Sequence, residues 1–154
     1  MDWVTDRIAI GNIEDAMDPD GLRTAGVSAV LCLNGFPLSL REEGFAWVNI
    51  TLIDGPGNSI ADVRAAITSL ERLASEHLVL VHCAEGVSRS VFVVACYLAE
   101  ARSIAIEEAV EVVRKRRRKA QIDAGLLAMV EDGWLEPEDI EDALDPELAE
   151  EDPA

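Results

Sequence analysis

The chain has 154 residues, 49% of them hydrophobic, and thirteen basic against thirty acidic residues give a formal charge of −17. That length fits one domain burying roughly 70% of its unfolded surface without disulfide or metal staples; three cysteines make no disulfide framework, and the two histidines, His77 and His82, exclude a three-histidine zinc site. The charge opposes nucleic acid and anionic membranes as partners, no apolar run nears the ~20 residues of a membrane span, and Met1 to Asp6 lacks the basic-then-apolar pattern of a secretion signal, so a cytoplasmic protein is expected.

Ile8 to Gly11 reads as a short strand closed by glycine, and Asp20 to Ala25 as a short helix stopped by Gly26. Ala29 to Leu33 is a buried strand ended by Asn34-Gly35, and Trp47 to Ile53 is another. Asp54-Gly55-Pro56-Gly57-Asn58 has strong turn chemistry. Ser59 suits a helix N-cap, and Ile60, Val63, Ile67, Leu70 and Leu73 follow at helical spacing to about Glu76. Leu78 to Val81 is a short apolar run of the kind buried on both faces of a parallel sheet. After a loop from Ala84 to Ser88, a largely apolar helix runs from Arg89 to about Ala101. Ile106, Ala109, Val110 and Val113 mark another helix, which ends in the basic run Arg114 to Lys119, and Leu126, Leu127 and Val130 mark the last.

Strands alternating with helices predict an α/β fold, a central, mostly parallel sheet flanked by helices. Residues 1–134 are the expected folded domain. Residues 135–154 form an acidic tail; ten of the last nineteen residues are Asp or Glu and three are Pro, a composition that suits a frayed or mobile end. So acidic a chain, with eleven Arg and only Lys115 and Lys119, suits a salt-rich cytoplasm or an ordinary acidic protein, and salt-dependent stability separates the two.

The strand ending at Ile53, the helix after Ser59 and the strand ending near His82 make a βαβ unit, whose two strands point the same way. Asp54 and Cys83 are therefore expected at the same, carboxyl edge of the sheet, where open α/β folds bind ligands. The chemistry is carried by His82-Cys83-Ala84-Glu85-Gly86-Val87-Ser88-Arg89-Ser90. A strand ends at the cysteine, a glycine-containing turn follows, and a helix starts near Arg89. Successive N–H groups in such a turn form an anion nest, to which the helix N-terminus adds its own. A thiol at the base of that nest ionises more readily. Arg89 supplies a planar fork for two oxyanion oxygens, and the same donors stabilise charge on phosphorus-bound oxygens in a transition state. Cys followed six residues later by Arg arises by chance about 0.2 times in this composition. It occurs a second time as Cys96 and Arg102, within a helix and without glycine or a preceding strand. The accompanying strand, His82, Gly86, Ser88 and Ser90 set Cys83 apart.

This segment resembles the signature loop of the cysteine-dependent protein tyrosine phosphatases, and most closely the dual-specificity branch. The resemblance extends over about residues 3 to 134, through the Gly11 strand, Val30-Leu31-Cys32-Leu33, Asp54 and the Arg-rich helix, in family order. It implies Cys83 as nucleophile in a phosphocysteine mechanism, Arg89 and the backbone N–H groups of Ala84, Glu85, Gly86, Val87, Ser88 and Arg89 as phosphate ligands, and Ser90 as an aid to thiolate departure. It implies His82 as a tuner of the cysteine and Asp54 as general acid, with no metal and no cofactor. Asp62 is the competing acid, though its place on a first helical turn suits a dipole role. Family members often carry Pro and Asn after the basic helix, where this chain has Ala120 to Gly125.

The expected function is hydrolysis of phosphotyrosine, with phosphoserine and phosphothreonine as further substrates, on a protein or peptide. The alternatives are a catalytically weak phosphate-binding module and a phosphatase for a small metabolite, glucan or RNA end. Glu85 and the shortage of lysine disfavour a highly phosphorylated inositol lipid. A serine-hydrolase elbow is excluded because Ser90 replaces the last glycine and no histidine follows Ser88. A Walker loop is excluded for want of Gly-Lys-Ser/Thr. Cys32 and Cys96 are read as core packing, with a redox partner for Cys83 as the minority reading. Arg114 to Lys119 are read as a solvated helix end, with a substrate-attracting patch as the alternative. Phe36, Trp47 and Tyr97 are read as core, with one of them lining the pocket and stacking on an aryl ring as the alternative.

Overall fold

The computed structural model describes residues 1–131; the expected acidic tail and the boundary near residue 134 lie outside the described residues. Five strands form one sheet in the order β1-β2-β5-β3-β4. These are β1 (Asp2–Trp3), β2 (Ile8–Gly11), β3 (Ala29–Cys32), β4 (Ala46–Asn49) and β5 (Val79–His82). All neighbours pair in parallel except β1, which runs antiparallel to β2. The α/β architecture read from the alternation of elements is the one observed.

Every residue of β2, β3 and β5 is buried, and the alternation of side chains across the pleat divides the core in two. Ile8, Ile10, Ala29, Leu31, Val79 and Val81 face the larger half. That half is closed by α3 (Ile60–Glu76), α4 (Arg89–Arg102), α5 (Ile106–Arg116) and α6 (Ala124–Glu131). Ala9, Val30 and Leu80 face the smaller half, with Ala16, Leu22 and Leu40 from the short elements and Phe45 from the residue before β4. Those elements are α1 (Ile13–Ala16), α2 (Pro19–Thr24) and a 3-10 turn at Leu38–Leu40. Helices on both faces explain why the strands read as continuous apolar runs.

Local chemistry sets the helix ends. The Ser59 hydroxyl accepts from the Asp62 N–H at 3.0 Å, starting α3 where the sequence placed its cap. Asp18 caps α2 through the Gly21 N–H at 3.0 Å with Pro19 in the first turn, one residue before the expected start, and Gly26 ends it at φ +86°. Asn12 and Asp15 cap α1 reciprocally, each side chain accepting from the other's N–H.

One strand is shorter than expected. β4 ends at Asn49 instead of Ile53. The chain keeps beside β3 through Ile50 N–H to the Cys32 carbonyl (3.0 Å) and Leu52 N–H to the Leu33 carbonyl (3.1 Å). It then turns out, leaving Ile53 56% exposed. Phe36 is likewise 61% exposed instead of core, while Trp47 and Tyr97 are half-buried. The Arg41 guanidinium lies over the Trp47 ring at 5.6 Å. No helix among the described residues is long and apolar enough to cross a membrane.

Candidate active site

β5 delivers His82 to the carboxyl edge of the sheet, and Cys83 is the first residue beyond it. α4 begins six residues later at Arg89, with its N-terminal N–H groups and positive dipole end facing the turn between. The carbonyl partners establish the orientation of that turn. The Ala84 carbonyl accepts from Ile13 N–H (3.0 Å), Val87 from Gln121 N–H (2.8 Å) and Ser88 from Phe92 N–H (2.8 Å). The Gly86 carbonyl accepts from Arg117 Nε (2.6 Å), and Glu85 from Arg117 Nη2 (3.4 Å). Every carbonyl from Ala84 to Ser88 is thus bonded to a group outside the turn. In a trans peptide the next N–H points the opposite way, so the N–H groups of Glu85 to Arg89 converge on the interior, a cradle for an oxyanion. Gly86 sits at φ +68°, where side chains are strained, and a Cβ there would lie 2.5 Å from the Gly11 carbonyl oxygen.

Cys83 is only 2% exposed, yet it is not sealed. It floors a cleft of about 660 Å³ lined by Asp54, the Ala84–Arg89 turn and residues 121–124. Burial pushes the thiol pKa up. The Ser90 hydroxyl, the Ser90 and Gly86 main chain and the Arg89 charge push it down, and together they prevail. Ser90 Oγ lies 3.2 Å from Cys83 Sγ and donates to the sulfur once it is ionised. Cys32 and Cys96 behave oppositely: burial pushes both thiols up, and Cys96 packs in the core, the behaviour of packing residues. Burial also pushes the His82 pKa down to about 4. The imidazole is fully buried, with Nδ1–H donating to the Cys83 carbonyl at 3.3 Å and Nε2 without a partner among the described residues, so it is neutral and contacts the cysteine through its backbone.

Arg89 reaches across the cleft to donate from Nη1 to the Leu52 carbonyl at 3.2 Å, while its buried Nε has no partner among the described residues. That bond ties the cradle to the loop carrying Asp54. Asn58 shapes the same loop: its Oδ1 accepts from Ile53 N–H (2.8 Å), and its Nδ2 donates to the carbonyls of Ile53 (2.8 Å) and Gly55 (3.2 Å). On the other side Gly125 touches the loop so closely that a Cβ would lie 2.5 Å from Pro56 N. Asp54 and Cys83 line one cleft, as the parallel-strand argument expected. Asp62 does not line it and remains on the first turn of α3. None of Phe36, Trp47 and Tyr97 lines it.

Two features escaped the sequence reading. The run Arg114 to Lys119 is not uniformly solvated: Arg117 is 2% exposed, turned under the cradle, and paired with Asp2 at 2.8 Å. The reason is that α5 ends at Arg116, so the next residue leaves the helical face and points inward. The segment after it, Ala120 to Gly125, forms the third wall. Gln121 N–H holds the Val87 carbonyl, and Asp123 N–H donates to Ser88 Oγ at 2.9 Å. The support comes from the backbone, so the side-chain departures from the family pattern do not remove it. Gly86 was the available signal for Arg117, since a glycine in a turn marks a close approach.

A family model described as dual specificity phosphatase, catalytic domain, matches residues 11–132. Mouse dual specificity protein phosphatase 12 is 29% identical over 121 residues, 75% of this chain and 36% of that protein. Dual specificity protein phosphatase 22 of Xenopus tropicalis is 30% identical over 135 residues, 86% of this chain and 64% of that protein. The chain therefore spans between about a third and two thirds of the length of these relatives. Among solved structures, human DUSP28 superposes with a TM-score of 0.76 at 20% identity, covering 86% of this chain and 94% of that one. DUSP15 gives 0.73 at 23% identity, covering 97% and 94%. These likenesses show the fold. With the family model matching most of the chain, the protein belongs to the dual specificity phosphatase catalytic-domain family.

Proposed function

We propose that the protein is a cysteine-dependent phosphatase that hydrolyses phosphotyrosine, and also phosphoserine and phosphothreonine, in proteins or peptides. The observation that carries this reading is the outward bonding of every carbonyl from Ala84 to Ser88 around a Cys83 whose pKa is lowered. A phosphate monoester seats its oxygens on the inward N–H groups and on the Arg89 guanidinium, whose free Nε completes a two-pronged contact. The Cys83 thiolate attacks phosphorus as the bond to the ester oxygen breaks, and Asp54 gives that oxygen a proton. Water then attacks the phosphocysteine, with Asp54 taking the proton back and Ser90 donating to the departing sulfur. His82 stays neutral and acts as neither acid nor base. No metal ion or cofactor has a part in this scheme.

The test is phosphate release from an aryl phosphate and from phosphotyrosine, phosphoserine and phosphothreonine peptides. Cys83→Ser is expected to abolish turnover while retaining phosphate binding. Chelators are expected to have no effect, and vanadate, which mimics the five-coordinate transition state, to inhibit. Chelator-sensitive turnover, or turnover by Cys83→Ser, would overturn the reading. A burst of one equivalent without further turnover would favour a phosphate-binding module.

A further inference from the structure

We infer that the cleft selects singly phosphorylated residues flanked by basic side chains, with Glu85 and Asp123 as the specificity determinants. This rests on the phosphatase reading above and names its substrate class. Among the described residues lining the cleft Arg89 is the only cationic side chain, whereas Asp54, Glu85 and Asp123 supply three carboxylates. No member of the basic run Arg114 to Lys119 lines the cleft, and Arg117 lies beneath the cradle, bonded to Asp2 and to loop carbonyls. Neither Glu85 nor Asp123 has a basic partner among the described residues. The Asp123 carboxylate accepts from Gly125 N–H at 2.7 Å, which fixes its position on the wall.

When phosphate binds, the Arg89 charge is taken up by the phosphoryl oxygens, and Asp54 must hold a proton to act as acid. Glu85 and Asp123 are then left as uncompensated negative charges beside the bound phosphate. A Lys or Arg next to the phosphorylated residue supplies the missing counter-charge. A second phosphate, an acidic neighbour or the phosphodiester backbone of an RNA end is repelled by the same groups. The attraction is between partly hydrated groups, so it is modest and fades with salt as the screening length shortens from about 10 Å at 0.1 M to about 3 Å at 1 M.

The experiment compares kcat/KM for three phosphotyrosine peptides that differ only in Lys, Gln or Glu flanks, with a flankless aryl phosphate and a doubly phosphorylated peptide as references. The wild type is expected to rank Lys above Gln above Glu, over about a tenfold range at low salt, with the doubly phosphorylated peptide poorest. That range is expected to shrink to about twofold in 1 M salt. Glu85→Gln and Asp123→Asn should each narrow it at low salt; asparagine keeps the acceptor for Gly125. The ratio between peptides, within each enzyme, is the quantity read. A flat or reversed ranking with aryl phosphate still hydrolysed would overturn the inference and leave the phosphatase reading intact. So would a ranking unchanged in both variants. No turnover of any substrate, aryl phosphate included, would remove both. The wild-type comparison at two salt concentrations stands even where a variant fails to fold.

Discussion

At the scale of single residues, the site depends on side chains placed in environments that set their protonation. His82 is the clearest case. Its pKa of about 4 when folded lies below the ordinary 6.5, so between these values the unfolded chain binds a proton that the folded one refuses. The contribution of this histidine is fully present above about pH 6.5 and is lost as pH falls toward about 4, by about 3 kcal/mol. Urea unfolding of wild type and His82→Gln across pH 7.5 to 4.5 checks this. The wild type is expected to lose stability with acid more steeply, and parallel slopes would contradict the burial argument. Asp54 is tested by leaving group. Asp54→Asn should slow hydrolysis of alkyl and phosphotyrosyl esters by about a hundredfold or more, and far less for an activated aryl ester that departs without a proton. Steady-state kinetics on the two classes reads the difference, and equal slowing would move the acid elsewhere. The meeting of Cys83, Arg89 and Asp54 at one cleft was legible in the sequence, because Cys83 follows a buried apolar strand, Arg89 opens the helix after a glycine-containing turn, and Asp54 begins a Gly-Pro-Gly turn. The exposure of Phe36 was not legible, because hydrophobicity alone does not say which apolar residues a turn leaves outside.

At the scale of elements, three segments from distant parts of the chain hold the cradle in shape. Ile13 of α1 takes one carbonyl, Arg117 takes two, and the residue-121 segment takes another. These are what turn the N–H groups inward, so a residue that touches no substrate is expected to control phosphate affinity. Arg117→Ala removes a buried guanidinium and orphans the Gly86 carbonyl. It should cost about 2–4 kcal/mol of stability and weaken inhibition by vanadate roughly tenfold or more. Arg117→Lys, which keeps the charge but not the fork, should recover part of the stability and less of the affinity. A variant of normal vanadate affinity would mean that the turn holds its shape unaided. Helical periodicity could not foresee this role, because it assigned Arg117 to the face of a helix that ends one residue earlier. The boundaries of α3 and α4 were legible, since Ser59 and the Cys83–Arg89 spacing mark them. The early end of β4 was not, because Ile50 to Ile53 continue its apolar pattern; Ile50 and Leu52 still bond carbonyls at the end of β3, while Ile53 turns out and bonds Asn58, five residues on.

At the scale of the molecule, parallel strand order does the main functional work. Because β3, β4 and β5 all run the same way, the loop bearing Asp54 and the turn bearing Cys83 leave the same edge of the sheet, although 29 residues separate them. An ion pair at 2.8 Å between the buried Arg64 of α3 and the exposed Glu100 of α4 joins the two long helices on one face. In the proposed mechanism phosphate is held by backbone N–H groups and one guanidinium. The central claim is that a sulfur anion held in that cradle takes the phosphoryl group. The most direct measurement is rapid quenching of Ser90→Ala during turnover of an aryl phosphate, followed by mapping of phosphorylated peptides. Loss of the hydroxyl should slow thiolate departure, so a phosphoryl adduct is expected to accumulate on the peptide containing Cys83. Turnover with no adduct there, or an adduct on another residue, would contradict the account.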